Sequence, residues 1–126
     1  MASWKRSTSS RSSRPRPRPG SRAERRAAWW YRLRGYRIVG TNVWVGRYEL
    51  DVVAVRGRTV AFCEVKSKSG TRWGDPLEMV TQEKIRRIRL AAETWIAYRP
   101  AYRGFAIRYD IVAVRGRRLE CVRGAF

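Results

Sequence analysis

Two apolar runs, Glu49-Leu-Asp-Val-Val-Ala-Val55 and Val60-Ala-Phe-Cys-Glu-Val-Lys66, flank the linker Arg56-Gly57-Arg58-Thr59 and constrain the fold more than any other stretch of the chain. Both are rich in β-branched residues and the linker carries a glycine, which predicts two antiparallel strands joined by a tight turn. If Gly57-Arg58 is a two-residue loop, Val55 faces Val60 and Asp51 faces Glu64. Strand alternation then puts Glu49, Asp51, Val53 and Val55 on one face with Val60, Phe62, Glu64 and Lys66. The opposite face, Leu50, Val52, Ala54, Ala61, Cys63 and Val65, is wholly apolar. A three-residue loop would instead send Asp51 and Glu64 to opposite faces, so the register decides whether a site exists at all.

Like charges directly opposite in a sheet are destabilising, and Lys66 alone cannot balance Glu49, Asp51 and Glu64. A Mg2+ or Mn2+ ion would supply the missing charge through hard oxygen ligands and waters. Such an ion suits phosphodiester hydrolysis, with Lys66 orienting the nucleophile or meeting developing charge. An ordinary charge pair on an exposed strand has the same Glu-x-Lys spacing. Placement argues for the site, because Glu64 and Lys66 interrupt an otherwise apolar strand, where charges seldom stand without a partner.

The partner class follows from charge. The chain has 29 Lys and Arg against 10 Asp and Glu, for a formal charge of +19, and no His. Residues 1–22 hold seven of the basic residues and no acidic one, so the remainder still carries +12. A body this basic, with arginine dominant, points to a polyanion, nucleic acid first and an anionic membrane surface second. Residues 1–20 are rich in Ser, Arg and Pro and are predicted to be a disordered cationic tail, either a phosphate-binding arm or dispensable. Residues 21–126 leave room for one domain. No apolar run approaches membrane-spanning length. Two cysteines, Cys63 and Cys121, read as reduced core or edge residues, which fits a cytoplasmic protein. The absence of His and of a Cys cluster makes zinc a poor fit and excludes Ser-His and Cys-His catalytic pairs.

Around the hairpin, residues 22–34 read as a helix capped by Ser21 and stopped by Gly35, with Glu24 in its first turn. Residues 36–45 read as a strand broken at Gly40-Thr-Asn42, and Gly46-Arg47 turns the chain into the Asp51 strand. A loop at 67–76 carries Lys68, Arg72 and Trp73, placed to hold a sugar-phosphate backbone or stack a base; Trp73 could equally cover the core. Residues 81–98 form the strongest helix pattern, with Ile85, Ile88, Ala92 and Trp95 on one stripe. Lys84, Arg86, Arg87 and Arg89 fall largely on the other faces, as a solvated surface or a contact for substrate phosphates. Strands at 105–114 and 119–122 follow. The sum is an α/β fold, a mixed sheet of about five strands flanked by helices, with the second helix as a crossover.

The order of a helix with Ala23-Glu24, then Gly35-Tyr36-Arg37-Ile38, Asn42, Glu49-Leu50-Asp51-Val52-Val53-Ala54, Phe62-Cys-Glu64-Val-Lys66, Gly74, Val80-Thr81, Lys84 and Tyr109-Asp110-Ile-Val112 resembles the YraN-like bacterial family. That family is a branch of the restriction-endonuclease-like PD-(D/E)XK nucleases, related to Holliday junction resolvases. The resemblance runs from about Gly20 to Val114. It implies that Asp51 and Glu64 bind the metal with the carbonyl of Val65, that Lys66 is catalytic, and that Glu24 assists from the first helix. It favours DNA over RNA as substrate without deciding between them, and because resolvase relatives act as dimers it raises a homodimer, for which no surface of the sequence can be singled out. Tyr48 departs from the usual Gly before the Glu-x-Asp stretch, and Lys68 from the usual Arg after Glu-x-Lys. The rival reading keeps the fold for nucleic-acid binding without catalysis.

Overall fold

Three Gly-Arg dipeptides, Gly46-Arg47, Gly57-Arg58 and Gly116-Arg117, turn the chain back on itself, their glycines at φ 59°, 59° and 57°. A positive φ at the first position of a two-residue loop matches the twist of antiparallel strands, and glycine reaches it without a Cβ clash. The computed structural model describes residues 22–67 and 80–126; the predicted tail and the Ser21 cap lie outside them. Helix α1 (Arg22–Arg32) leads into strands β1 (Arg37–Val45), β2 (Tyr48–Arg56) and β3 (Thr59–Ser67). Helix α2 (Gln82–Ala97), a 3-10 turn at Pro100–Tyr102, and strands β4 (Ala106–Arg115) and β5 (Arg118–Val122) complete the order.

The strands form one sheet in sequence order, β1-β2-β3-β4-β5. All neighbours are antiparallel except β3 and β4, which run parallel across the α2 crossover. This is the predicted α/β fold, with the architecture of a restriction-endonuclease-like core. Val53, Val55, Val60 and Phe62 pack on Ile88, Ala91, Ala92 and Trp95 of α2. On the other face Val52, Ala54, Ala61, Cys63, Val112 and Val114 pack with Ala27 and Tyr31 of α1. Helix α2 starts where Thr81 accepts the Lys84 N–H on its hydroxyl at 3.1 Å, an N-cap that satisfies one of the orphan amides of the first turn. Both cysteines are free, Cys63 buried and Cys121 half-buried. Among the described residues no helix is long and apolar enough to cross a membrane.

Two expectations are corrected. Strand β1 is not broken at Gly40; it runs through, with a register shift between Ile38 and Gly40 and Asn42 in left-handed backbone at φ 52°. Leu50 does not lie with Val52 and Ala54 but in the α2-side core with Val53 and Val55. The cause is local. The β1–β2 ladder omits the Asn42–Asp51 pair, so the alternation of β2 slips between Leu50 and Val52 and regular counting fails there.

Asp110 ties the layers together. Fully buried, it accepts the Tyr31 hydroxyl at 2.6 Å, two Arg108 nitrogens at 2.9 and 2.8 Å, and the Gly124 N–H at 3.0 Å. A buried carboxylate with its lone pairs filled by α1, β4 and the segment after β5 is costly to break, because each donor then loses its partner in a dry site. Asp110→Ala is expected to lower stability by about 3–5 kcal/mol, and Tyr31→Phe by about 1 kcal/mol, read from urea denaturation midpoints.

Candidate functional site

The β2–β3 ladder pairs Arg56 with Thr59, Val55 with Val60 and Val52 with Cys63, the two-residue-loop register. It stops at Val52 and Cys63 although neither strand ends there. β2 continues beside β1 to Tyr48, and β3 continues beside β4 to Ser67. The strands therefore part where Asp51 faces Glu64. In an unbroken ladder the Val65 N–H would bond across to Leu50; here it donates to Asp51 Oδ2 at 2.8 Å. Because the N–H and C=O of a strand residue point to the same neighbour, the Val65 carbonyl also opens on this gap.

Acidic groups converge on the gap from both sides of the sheet. Among the described residues only Glu24, Glu64 and Asp110 are buried charged side chains, and the first two adjoin Asp51. Glu24, from the first turn of α1, accepts Asn42 Nδ2 at 2.9 Å, which accounts for the left-handed Asn42 in β1. Glu64 accepts the Tyr48 hydroxyl on Oε1 at 2.9 Å, while its Oε2 lies 2.8 Å from Lys84 Nζ and 3.4 Å from Lys66 Nζ. Burial first, then repulsion from Glu64, Glu24 and Glu49, pushes the Asp51 carboxyl up to about 8, against the opposing pull of the Val65 N–H. Burial, with Lys84 beside it, draws Lys66 below the ordinary lysine range despite Glu64. For Lys84 burial acts downward too, but its hydrogen bond and charge contact with Glu64 win and raise it.

The expected Asp51, Glu64, Lys66 and Glu24 are thus brought together, and two partners join them that sequence reasoning assigned elsewhere. Lys84, expected among the outward cations of its helix, turns into the site. The signal was present, since it stands four residues before the buried Ile88 on the same stripe. Tyr48, noted only as a departure, becomes a donor to Glu64. Arg87 stays exposed and pairs with Glu83 at 2.9 Å. Lys68, Arg72 and Trp73 lie outside the described residues.

As a donor set, the gap offers two carboxylates and a peptide carbonyl. No three His, Cys, Asp or Glu side chains gather to hold a metal among the described residues, so a closed cage of the zinc or calcium kind does not fit. An ion that keeps several waters and takes one or two carboxylates does. Burial raises Asp51 first, and such an ion would offset the second cause, the negative charge of Glu64, Glu24 and Glu49.

Stability should carry the signature of Asp51. Its folded pKa of about 8 lies above its ordinary 3.8, so the folded chain holds a proton that the unfolded chain gives up. In chelator, this contribution is complete below about pH 4 and is lost as pH rises through about 8. Thermal melts across that window should show a fall that flattens in Asp51→Asn.

The profile of the uncharacterised protein family UPF0102 matches residues 23–114, nearly the span over which the sequence resemblance was drawn. Relatives include UPF0102 proteins of Sphingopyxis alaskensis, 48% identical over 100 residues, which cover 79% of this chain and 84% of that one. That of Mycolicibacterium vanbaalenii is 42% identical over 101 residues, 79% and 82% of the two chains. That of Bartonella bacilliformis is 37% identical over 100 residues, 79% and 80%. With most of its length matched by the profile and by these relatives, the chain belongs to the UPF0102 family.

Proposed function

We propose that this protein is a Mg2+- or Mn2+-dependent nuclease that hydrolyses phosphodiester bonds in DNA. The observation that carries this reading is the parting of β2 from β3 at Asp51 and Glu64, which opens two carboxylates and a peptide carbonyl onto one gap beside two lysines. Asp51, Glu64 and the Val65 carbonyl would hold the ion. When bound, it would polarise the phosphoryl oxygen and acidify a water. Lys66, 3.4 Å from Glu64 and drawn below its usual range, orients the nucleophile or meets charge building on the phosphate. Tyr48 and Lys84 fix the Glu64 carboxylate from the α2 side. Glu24, steadied by Asn42, assists from α1. The charge of +19 supports a nucleic-acid partner, and two free cysteines are in keeping with a cytoplasmic setting.

A second reading is a DNA-binding protein that has kept the fold without catalysis. One observation favours it. Both oxygens of Glu64 already have donors or cations, so the cluster is partly balanced with no ion present.

Cleavage of labelled single-stranded, duplex, flap and four-way-junction DNA in Mg2+ or Mn2+ separates the two. Cutting by the intact protein that falls by about a hundredfold or more in Asp51→Ala or Lys66→Ala supports the nuclease. Binding by both, steeply salt-dependent and with no cutting, makes the second reading correct. The ion must also compete with the Asp51 proton. Mg2+ should therefore raise the melting temperature more at about pH 8 than well below it, a difference absent in Asp51→Asn.

A further inference from the structure

Helix α1 sends Glu24 into the site and buries Ala27, Ala28 and Tyr31 against the sheet. Its other side is left bare. Among the described residues no other element covers Trp29, 58% exposed, or Leu33, 77% exposed, and large apolar side chains left together in this way mark a contact surface. Arginines surround them. Arg22 and Arg25 lie on the outward side two turns and one turn before Trp29, and Arg32 stands over the Trp29 ring at 5.2 Å. The surface is also held rigid. Arg26 donates through Nη1 to the Gly116 carbonyl and through Nη2 to the Arg117 carbonyl at 2.9 Å, fastening α1 to the β4–β5 turn, where Arg117 and Arg118 are exposed.

We propose that this outer face of α1 is a track for a single-stranded arm of nucleic acid, with Trp29 as the ring on which a base stacks; the assignment of that arm to a DNA substrate rests on the nuclease reading. The chemistry selects the occupant. From Arg22 to Arg32 the helix rises about 15 Å, a basic stripe with a flat apolar ring in its middle. Single strands are held in this way, by cations along the phosphates and aromatic faces under the bases. A duplex has its bases stacked on one another and offers Trp29 no free base face. A second copy of this chain is disfavoured, since a symmetric contact through this face would set arginine against arginine. A membrane surface is disfavoured as well. The apolar side of α1 is already spent on the core, and only Trp29 and Leu33 remain to enter lipid. The track ends at the turn of α1 that holds Glu24, so a strand lying on it leads toward the gap between β2 and β3. The substrate class is then a branched or flapped DNA with an unpaired arm.

The test is binding, kept apart from cutting. The full-length Asp51→Asn protein, in chelator, is titrated with a labelled oligo-dT and with a duplex of the same length, with and without Trp29→Ala or Trp29→Phe. The proposal expects Trp29→Ala to weaken oligo-dT binding about tenfold, Trp29→Phe to retain most of it, and duplex binding to shift less than about twofold. Equal weakening of both ligands, or none, overturns it. So does a Trp29→Ala variant that loses phosphatidylserine vesicle binding or self-association while holding oligo-dT unchanged. Because Trp29 is exposed, the variant should melt with the parent, and a large fall in melting temperature would itself contradict the exposed placement. If the track is present but no substrate is cut in Mg2+ or Mn2+, the nuclease reading fails and the track stands.

Discussion

The hydrogen bond from the Val65 N–H to the Asp51 carboxylate is the contact on which the rest of the site depends. A peptide N–H at a sheet interior must find an acceptor. In most sheets the partner strand supplies it. Here a side chain does, so β2 and β3 can separate without leaving the amide unpaired. The same substitution of partners seats Asp51 in the gap and exposes the peptide edge of Val65. The geometry of the candidate site and the end of a strand pair are thus one feature.

The two layers contribute unequally to the electrostatics of that gap. From α1 comes another carboxylate, Glu24; from α2 comes a cation, Lys84. Asp51, between them, is held back from ionising by burial and by Glu64, Glu24 and Glu49, while its own charge helps to raise Lys84. The protein tolerates this because stability is drawn elsewhere, from the valine and aromatic core on either face of the sheet and from the Asp110 network. Sites that carry uncompensated charge commonly depend on a rigid surround in this way.

Much of this was legible from residue order. The hairpin register followed from Gly57-Arg58 and from the β-branched runs beside it, down to the Val52–Cys63 pair, beyond which the strands part beside Asp51 and Glu64. The element order and the crossover followed from helical and strand periodicity, with helix ends within about two residues. The failures share a cause. Leu50 and the continuity of β1 were misread because a slip in the β1–β2 ladder, set by Asn42 reaching for Glu24, breaks the period of two that strand reading assumes. Lys84 was misread because a charge on a helix was taken as outward, although its phase matched Ile88. The Asp110 network joins residues from α1 to beyond β5, and no local pattern announces contacts of that range.

The parallel pairing of β3 with β4 has a consequence for the order of assembly. The two hairpins from β1 to β3 are local and need little loop closure, whereas β3 meets β4 only after the whole crossover has been laid down. Asp51 and Glu64 are brought face to face by the local hairpin. Lys84 arrives with the crossover. The carboxylates therefore meet with Lys66 alone beside them, and the chain must carry the part of their repulsion that Lys84 later offsets through the early part of folding. Ionic strength, which screens that repulsion, should then act on the folding rate as well as on the native state.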